Sequence, residues 1–190
     1  MPKSICVFCA SSNRVSEVYF EAARKVGETL ANRGDTLIYG GGDVGLMGAL
    51  ARSVHEHGGR VVGIIPEALR LPEVAYEQAD DLIVTRDMRE RKALMDEKSD
   101  AIITLPGGFG TLEEVIEMIT MKQLFYHDKP IVLLNINRFY DPLAALFEHF
   151  FQEKFAREVY RELYHLSPTV AETFGYIDNY QPRQFADKWG

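Results

Sequence analysis

The sequence predicts an α/β fold in which a parallel sheet is covered by helices on both faces. Short apolar segments alternate along the chain with longer segments of helical periodicity, which is the pattern of successive βαβ units. The short segments are apolar at consecutive positions, as in Ile131-Val132-Leu133-Leu134, and this is typical of parallel strands buried on both faces. We therefore expect a doubly wound, Rossmann-like sheet that binds its ligand at the carboxyl ends of the strands.

The first half of the chain supplies three strands and two helices. The first helix follows Ser16, a suitable N-cap, and Gly34 can end it. Apolar residues at four-residue intervals between these two positions support the assignment. The strands are predicted at Ser4–Phe8, Thr36–Tyr39 and Arg60–Ile65, and the helices from Glu17 to about Asn32 and from about Leu46 to His57.

The second half continues the same alternation. Strands are predicted at Leu82–Val84, Ala101–Leu105 and Ile131–Asn135, and helices from about Met88 to Lys98 and from Leu112 to about Phe125. Beyond Asp141-Pro142 the pattern predicts helix to the end, with breaks near Pro168 and Pro182. Since no repeat or linker interrupts the chain, we expect one domain over residues 1–190.

Composition excludes several classes of function. The chain has 190 residues with 46% hydrophobic and 26% charged residues, which is ordinary for a globular protein. No apolar run approaches the ~18 residues of a membrane span, and Ile5–Ala10 is too short for a signal-peptide core. We therefore expect a cytoplasmic protein without a membrane partner. The net charge of −7 argues against nucleic-acid binding, which needs a basic face.

The two cysteines, Cys6 and Cys9, form a C-x-x-C pattern at the first strand. A zinc ribbon would need a second pair, and residues three apart on a strand face opposite sides. Buried, unpaired thiols are therefore favoured over redox chemistry. The histidines show no metal-ligand spacing, so no metal site is predicted.

Glycine-rich loops follow two of the predicted strands. The first, Gly40-Gly41-Gly42-Asp43-Val44-Gly45-Leu46-Met47-Gly48, formally contains G-x-G-x-x-G. It is weak evidence for a dinucleotide, because it follows the second strand and Glu67 lies beyond Pro66 instead of at the strand end. The second loop is Pro106-Gly107-Gly108-Phe109-Gly110-Thr111. Both could be only tight turns, but two such loops at one sheet edge favour anion binding, most simply a monophosphate.

Charged residues near these loops have two interpretations each. Glu114 has the spacing of a capping box with Thr111, or it faces the part of a ligand that is not the phosphate. The basic run Arg86-Asp87-Met88-Arg89-Glu90-Arg91-Lys92 is either a solvated face or a partner for a ligand anion and the glutamates after the second loop. The sequence leaves both pairs of alternatives open.

These motifs resemble the Lonely Guy family of cytokinin-activating phosphoribohydrolases, often labelled lysine decarboxylase-like. The resemblance covers Ile5 to about Asn135 and is most specific at the P-G-G-x-G-T-x-x-E motif of Pro106–Glu114, with Arg91-Lys92 upstream. It implies a homodimeric enzyme that hydrolyses the N-glycosidic bond of a nucleoside 5′-monophosphate, with an N6-substituted adenine as base, and that needs no metal or other cofactor.

The resemblance also implies roles for individual residues. Arg91 and Glu114 would be the catalytic pair, and the loop from Gly107 to Thr111 would hold the 5′-phosphate. The full set of substrate-binding positions would be Gly41, Gly42, Glu73, Met88, Arg91, Lys92, Gly107, Gly108, Phe109, Gly110, Thr111 and Glu113. Arg89 stands where many members have His, and Ala10 where plant members have Gly.

Three other functions compete with this one. A broader purine or pyrimidine nucleotide nucleosidase would differ only in its choice of base. A non-catalytic module would bind a nucleotide or cofactor without turnover. A true lysine decarboxylase would need a lysine suited to a pyridoxal phosphate Schiff base, and no lysine shows that context.

Overall fold

The sheet has seven strands, and all six pairings between neighbouring strands are parallel. The computed structural model describes residues 1–71 and 74–182. The strands are β1 (Ser4–Phe8), β2 (Thr36–Tyr39), β3 (Arg60–Pro66), β4 (Asp81–Thr85), β5 (Ala101–Thr104), β6 (Ile131–Leu134) and β7 (His165–Ser167). Their order in the sheet is β4-β3-β2-β1-β5-β6-β7.

Helices cover both faces of this sheet. They are α1 (Glu17–Arg33), α2 (Gly45–Glu56), α3 (Met88–Glu97), α4 (Phe109–Gln123), α5 (Asp141–Gln152) and α6 (Val170–Asn179). Short 3₁₀ helices lie at Glu67–Leu69, Ile136–Arg138 and Glu158–Leu163. The buried apolar residues of α1, α2 and α6 form one core cluster, and those of α3, α4 and α5 form the other. None of the described helices is both long and apolar enough to cross a membrane.

The strand order reverses beside β1, and this point positions the site. The chain adds β2, β3 and β4 on one side of β1, then returns to place β5, β6 and β7 on the other. The loops that leave β1 and β5 therefore diverge to opposite faces and leave a crevice between them at the carboxyl edge. Open parallel sheets bind their ligands at such a point.

The predicted α/β class with a parallel sheet and helices on both faces is confirmed, and two local predictions are wrong. The chain after Asp141-Pro142 is not wholly helical, because β7 extends the sheet by one edge strand paired with β6. Its three residues, His165-Leu166-Ser167, are too few to give a periodic signal. Helix α4 begins at Phe109 instead of Leu112, because Gly108 and not Thr111 is its N-cap.

The two cysteines are buried and unpaired, as the sequence predicts. Cys6 packs into the cluster of α3, α4 and α5, and Cys9 into that of α1, α2 and α6. Burial raises the pKa of both thiols well above its ordinary value. Neither sulfur is therefore activated as a thiolate.

Candidate active site

A cavity of about 420 Å³ opens at the carboxyl edge of the sheet, beside β1. Its floor is the end of β1, and its walls are the starts of α3 and α4 and the loops that precede them. It is lined by the stretch Val7–Ser12, by Gly40, by the apolar side chains Met47, Leu69, Met88 and Met95, by the backbone of Gly108–Thr111, and by Arg91 and Glu114. We call it the active-site cavity.

Arg91 and Glu114 meet in this cavity as a buried ion pair. Nη1 of Arg91 donates to Oε1 of Glu114 at 2.8 Å, and each residue is only 7% exposed. Nε of Arg91 also donates to the carbonyl of Ile64 at 3.0 Å, which fixes the plane of the guanidinium. Burial raises the pKa of Glu114, and the neighbouring guanidinium only partly opposes this. Oε2 of Glu114 has no hydrogen-bond partner among the described residues, so one carboxylate oxygen is left for a ligand.

The start of α3 explains why a basic run is tolerated at a helix N-terminus. Asp87 is the N-cap, and its carboxylate accepts hydrogen bonds from the amides of Arg89 and Glu90, both at 2.9 Å. These hydrogen bonds hold the pKa of Asp87 below its ordinary value. Arg86 pairs with Glu90. Asp87 thus supplies the negative charge that the helix dipole requires at this end.

Two of the three remaining cations of the run pair with the glutamates of α4. Arg91 pairs with Glu114, and Lys92 forms ion pairs with Glu113 and Glu117. For Arg91 and Lys92 the predicted pairing with the glutamates after the second loop is thus confirmed, and the predicted contact of this run with a ligand anion stays a prediction. Lys92 and Glu113 lie beside the active-site cavity and not among its lining residues, where they join α3 to α4.

The second glycine loop leaves the start of α4 open. The amide groups of Phe109, Gly110 and Thr111 have no hydrogen-bond acceptor among the described residues, and Gly108 offers no side chain as a cap. A Cβ added at Gly108 or Gly110 would meet no atom within 4 Å. Free amides, open space and the positive end of the helix dipole together make an anion site.

Thr111 and Glu114 do not form the capping box that their spacing allowed. Thr111 lies inside the first turn of α4, and its side chain packs against Gly107, where a Cβ would collide with it. Glu114 lies in the second turn and points to Arg91. The capping-box alternative is therefore excluded, because the helix starts at Phe109, one turn before the predicted start at Leu112.

The first glycine loop is already filled by the protein. The amide of Gly45 donates to Oδ1 of Asn13 at 2.8 Å, and that of Leu46 to the carbonyl of Ala10 at 2.9 Å. Gly45 has φ +62°, and a Cβ there would collide with the backbone of Ser11. At Gly40 a Cβ would collide with the guanidinium of Arg91. This loop therefore makes room for Arg91 and for the β1 loop, and the first two amides of its helix already have acceptors within the protein.

The structure brings together most of the predicted site residues. Arg91, Glu114, Met88, Gly108, Phe109, Gly110 and Thr111 all line the active-site cavity. Gly107 lines a neighbouring apolar cavity of about 270 Å³. Gly41 and Gly42 lie outside both cavities and pack against Ile65 and Met47, respectively. Glu73 falls outside the residues that the structure describes.

Several lining residues were missed at the level of sequence. Ser11 and Ser12 follow the carboxyl end of β1, the strand beside which the sheet order reverses. A correct prediction of the strand order would have identified Ser11 and Ser12 as candidate site residues from this position. Leu69 belongs to no motif, and Met47 lies in the first glycine loop but was not predicted to line the site; both enter the cavity through the tertiary fold. In the described part of the chain no group of three or more His, Cys, Asp or Glu residues could hold a metal ion.

Comparison with known proteins places the chain in a family. A family model described as "Possible lysine decarboxylase" matches residues 47–177. The probable cytokinin riboside 5′-monophosphate phosphoribohydrolase LOG6 of Arabidopsis thaliana is 44% identical over 95% of this chain and 90% of its own length. This chain belongs to the Lonely Guy family. A second Arabidopsis member, cytokinin riboside 5′-monophosphate phosphoribohydrolase LOG3, is 42% identical over 95% of this chain and 84% of its own.

Solved structures share the fold of this Lonely Guy protein at lower identity. The molybdenum cofactor carrier protein of Chlamydomonas reinhardtii superposes with a TM-score of 0.71 at 24% identity, covering 94% of this chain and 97% of that one. The molybdenum cofactor binding protein of Rippkaea orientalis gives a TM-score of 0.70 at 22% identity over 94% and 97% of the two chains. At these identities the likeness shows the fold alone.

Proposed function

We propose that this protein hydrolyses the N-glycosidic bond of a nucleoside 5′-monophosphate and releases the free base and ribose 5-phosphate. The observation that carries the proposal is the open start of α4 in the same cavity as the Arg91–Glu114 pair. One feature binds an anion and the other supplies a carboxylate, so a single ligand can engage both. The relatives named as phosphoribohydrolases support this reaction.

The 5′-phosphate binds the free amides of Phe109, Gly110 and Thr111 in this proposal. Each amide replaces a hydrogen bond to water by one to a charged oxygen, which is among the stronger hydrogen bonds in proteins. The hydroxyl of Thr111, buried at the same helix start, is a further donor. Anchoring at this end fixes the ribose along the first two turns of α4 and directs it to Glu114.

Glu114 acts on the anomeric carbon. Cleavage of an N-glycosidic bond develops positive charge on the ribose ring, which a carboxylate stabilises. The water oxygen bonds to the anomeric carbon as the carbon–nitrogen bond breaks, and the water proton goes to the leaving base. Glu114 can hold that proton in transit, since burial raises the pKa of its carboxyl group above the ordinary value. Arg91 fixes the carboxylate through Oε1 and leaves Oε2 for the reaction.

The base then occupies the apolar side of the cavity. With the phosphate at the start of α4 and the anomeric carbon at Glu114, the remaining walls are Met47, Leu69 and Met88. Methionine side chains adapt their shape to planar and aliphatic groups. We therefore favour an N6-substituted adenine, the base of a cytokinin. A broader nucleotide nucleosidase is the alternative, and the same cavity would serve it.

We also infer a cytoplasmic homodimer. Two unpaired, buried cysteines suit a reducing compartment. Several large apolar side chains are exposed on the described surface, including Phe109 at the mouth of the cavity, which is 94% exposed. Association of two copies would remove such side chains from water.

The proposal is tested by incubating the protein with AMP and with isopentenyladenosine monophosphate and separating the products by chromatography. We expect equimolar free base and ribose 5-phosphate from at least one of them, and faster release from the N6-substituted nucleotide. The Glu114→Gln protein serves as the control for contaminating activity. Failure to release base from any purine or pyrimidine monophosphate would overturn the proposal, and tight binding without turnover would indicate a binding module.

The family description also raises lysine decarboxylation, which the site does not fit. That chemistry forms a Schiff base between pyridoxal phosphate and a lysine. No lysine is found among the described residues that line the active-site cavity. The nearest in sequence to the catalytic pair, Lys92, is engaged by Glu113 and Glu117.

A further inference from the structure

Leu69, the last residue of the 3₁₀ helix Glu67–Leu69, lines the active-site cavity. The described residues 69–71 and 74–76 form what we call the wall segment. The backbone of this wall segment is hydrogen-bonded to the first glycine loop. The amide of Asp43 donates to the carbonyl of Val74 at 2.7 Å, and the amide of Tyr76 donates to the carbonyl of Gly41 at 2.9 Å. An isolated antiparallel bridge joins Gly42 to Ala75 between these two bonds. The segment is thus attached to the sheet at its Val74–Tyr76 end.

Behind this attachment, His55 of α2 contacts the same end of the segment through side chains. Its Nδ1 lies 2.8 Å from the hydroxyl of Tyr76, and its Nε2 lies 3.1 Å from Oδ2 of Asp80. The same carboxylate oxygen accepts a hydrogen bond from the amide of Val61 in β3 at 2.7 Å. Tyr76 is 4% exposed, so its hydroxyl is held in the interior.

The donors and acceptors in this group are determined by its chemistry. A carboxylate can only accept, so Nε2 of His55 donates to Asp80. In the neutral ring Nδ1 then accepts the hydroxyl proton of Tyr76. Hydrogen bonds from Val61 and His55 outweigh the effect of burial and hold the pKa of Asp80 below its ordinary value. The chain Tyr76–His55–Asp80 therefore links the wall segment to α2 and β3.

We propose that His55 is a positioning residue, which sets the height of the wall segment over the active-site cavity through Tyr76 and Asp80. None of these three side chains lines the cavity. The effect on a ligand therefore passes to Leu69 through two hydrogen bonds, from the amide of Val74 to the carbonyl of Leu71 and from the amide of Leu71 to the carbonyl of Leu69. The inference rests on the proposed function, because that function places the base of the nucleotide against the wall segment. His55 therefore governs affinity for the nucleotide more than the chemical step.

The test compares His55→Ala with Tyr76→Phe, and uses His57→Ala as a matched control. His57 stands directly after the same helix, and its Nδ1 contacts only the carbonyl of Ser53 within α2. Loss of His55 is expected to raise the KM for the nucleotide about tenfold, the effect of one hydrogen bond to a charged group, with kcat within about twofold. Tyr76→Phe should give a smaller rise, and His57→Ala none.

A conservative variant separates positioning from a general loss of stability. In His55→Gln the amide can accept from Tyr76 and donate to Asp80, so KM should return towards that of the unaltered protein. A purely structural role would lower the melting temperature and the active fraction in His55→Ala without changing KM. That result, or a failure of Gln to restore KM, would overturn the proposal.

Hydrogen exchange gives a readout that does not depend on the reaction. In the ligand-free protein, the amides of Asp43 and Tyr76, which form the attachment, should exchange about tenfold faster in His55→Ala than in His57→Ala. Unchanged exchange at these amides overturns the positioning role even if the enzyme is active. If no nucleotide is cleaved but exchange responds as stated, the proposed function has failed and the positioning role stands.

Discussion

Glu114 and Arg91 come from two helices that are adjacent in sequence and separated by β5, and each needs the other to be buried. An unpaired carboxylate in this position would be costly, since desolvation of a charged group is one of the largest destabilising effects in a protein. The pair leaves one oxygen of Glu114 unbonded among the described residues. Burial of the pair therefore maintains a carboxylate that is oriented, partly neutralised and still available.

Replacement of that carboxylate is the most direct test of its role. Glu114→Gln keeps the shape of the side chain and a hydrogen-bond acceptor for Arg91 but removes the charge. Base release should fall on the order of 10²–10⁴-fold, while ribose 5-phosphate binds as before. The matched control is Glu117→Gln, which loses an ion pair with Lys92 outside the cavity and should retain most activity. Equal losses in the two variants would contradict the assignment.

The raised pKa of Glu114 also makes stability depend on pH in a defined direction. The folded protein binds this proton more tightly than the unfolded chain, whose glutamate pKa is about 4.3. Its contribution to the free energy of unfolding is therefore fully present below about pH 4.3 and is lost as pH rises through the raised pKa. Urea unfolding of the unaltered protein and of Glu114→Gln across this range should show the decline only in the former. A parallel pH dependence would show that Glu114 has an ordinary pKa.

At the scale of elements, two helices begin with glycine-rich loops and differ in what satisfies their first amides. In α2, Asn13 and Ala10 accept from Gly45 and Leu46. In α4, the first amides have no partner among the described residues. The two loops look alike in sequence, but the first two amides of α2 have acceptors within the protein, whereas the first three of α4 have none among the described residues.

This difference can be measured with Gly110→Ala. A methyl group at position 110 meets no atom within 4 Å, and alanine in a helix is more stable than glycine by up to about 1 kcal/mol. The melting temperature should therefore stay the same or rise. The same methyl group would occupy space beside the free amides, and the affinity for ribose 5-phosphate should fall about tenfold or more. Calorimetric titration with ribose 5-phosphate measures this affinity. An unchanged affinity would show that the phosphate does not bind at the start of α4.

At this scale, elements with a long apolar or periodic segment were predicted from the sequence, whereas a three-residue strand and the exact start of one helix were not. Strands β1 and β6 were predicted correctly because a short run of consecutive apolar residues between turn residues is typical of a buried parallel strand. Strand β7 has three residues, and pairing with β6 defines it more than its own composition does. The start of α4 was misplaced because Thr111 is a better N-cap by residue type than Gly108, and the backbone of the loop decided otherwise.

At the scale of the whole molecule, the strand order determines which residues meet. Chain order alone does not reveal that β1 and β5 are neighbours, nor that the loops after them share a crevice. The motif at Pro106–Glu114 could be read from the sequence, whereas Ser11, Ser12, Met47 and Leu69 join the cavity only through the topology. Most motif residues were therefore predictable, and the lining residues outside the second loop and the Met88–Arg91 stretch were not.

The oligomeric state is a prediction for the molecule as a whole. We expect sedimentation equilibrium to give a mass near twice 21.6 kDa. Dilution should not yield a monomer at micromolar concentration if the exposed apolar side chains lie between the copies. A species of 21.6 kDa across this range would exclude the homodimer.

The unfilled start of α4 bears on how such an enzyme would behave in a cell. A helix terminus that captures the phosphate of an incoming nucleotide captures equally well the sugar phosphate left behind after the base departs. Turnover would then slow as that product accumulates, through competition for one set of amides. Hormone output, or salvage, would thereby become sensitive to how quickly downstream metabolism clears pentose phosphate.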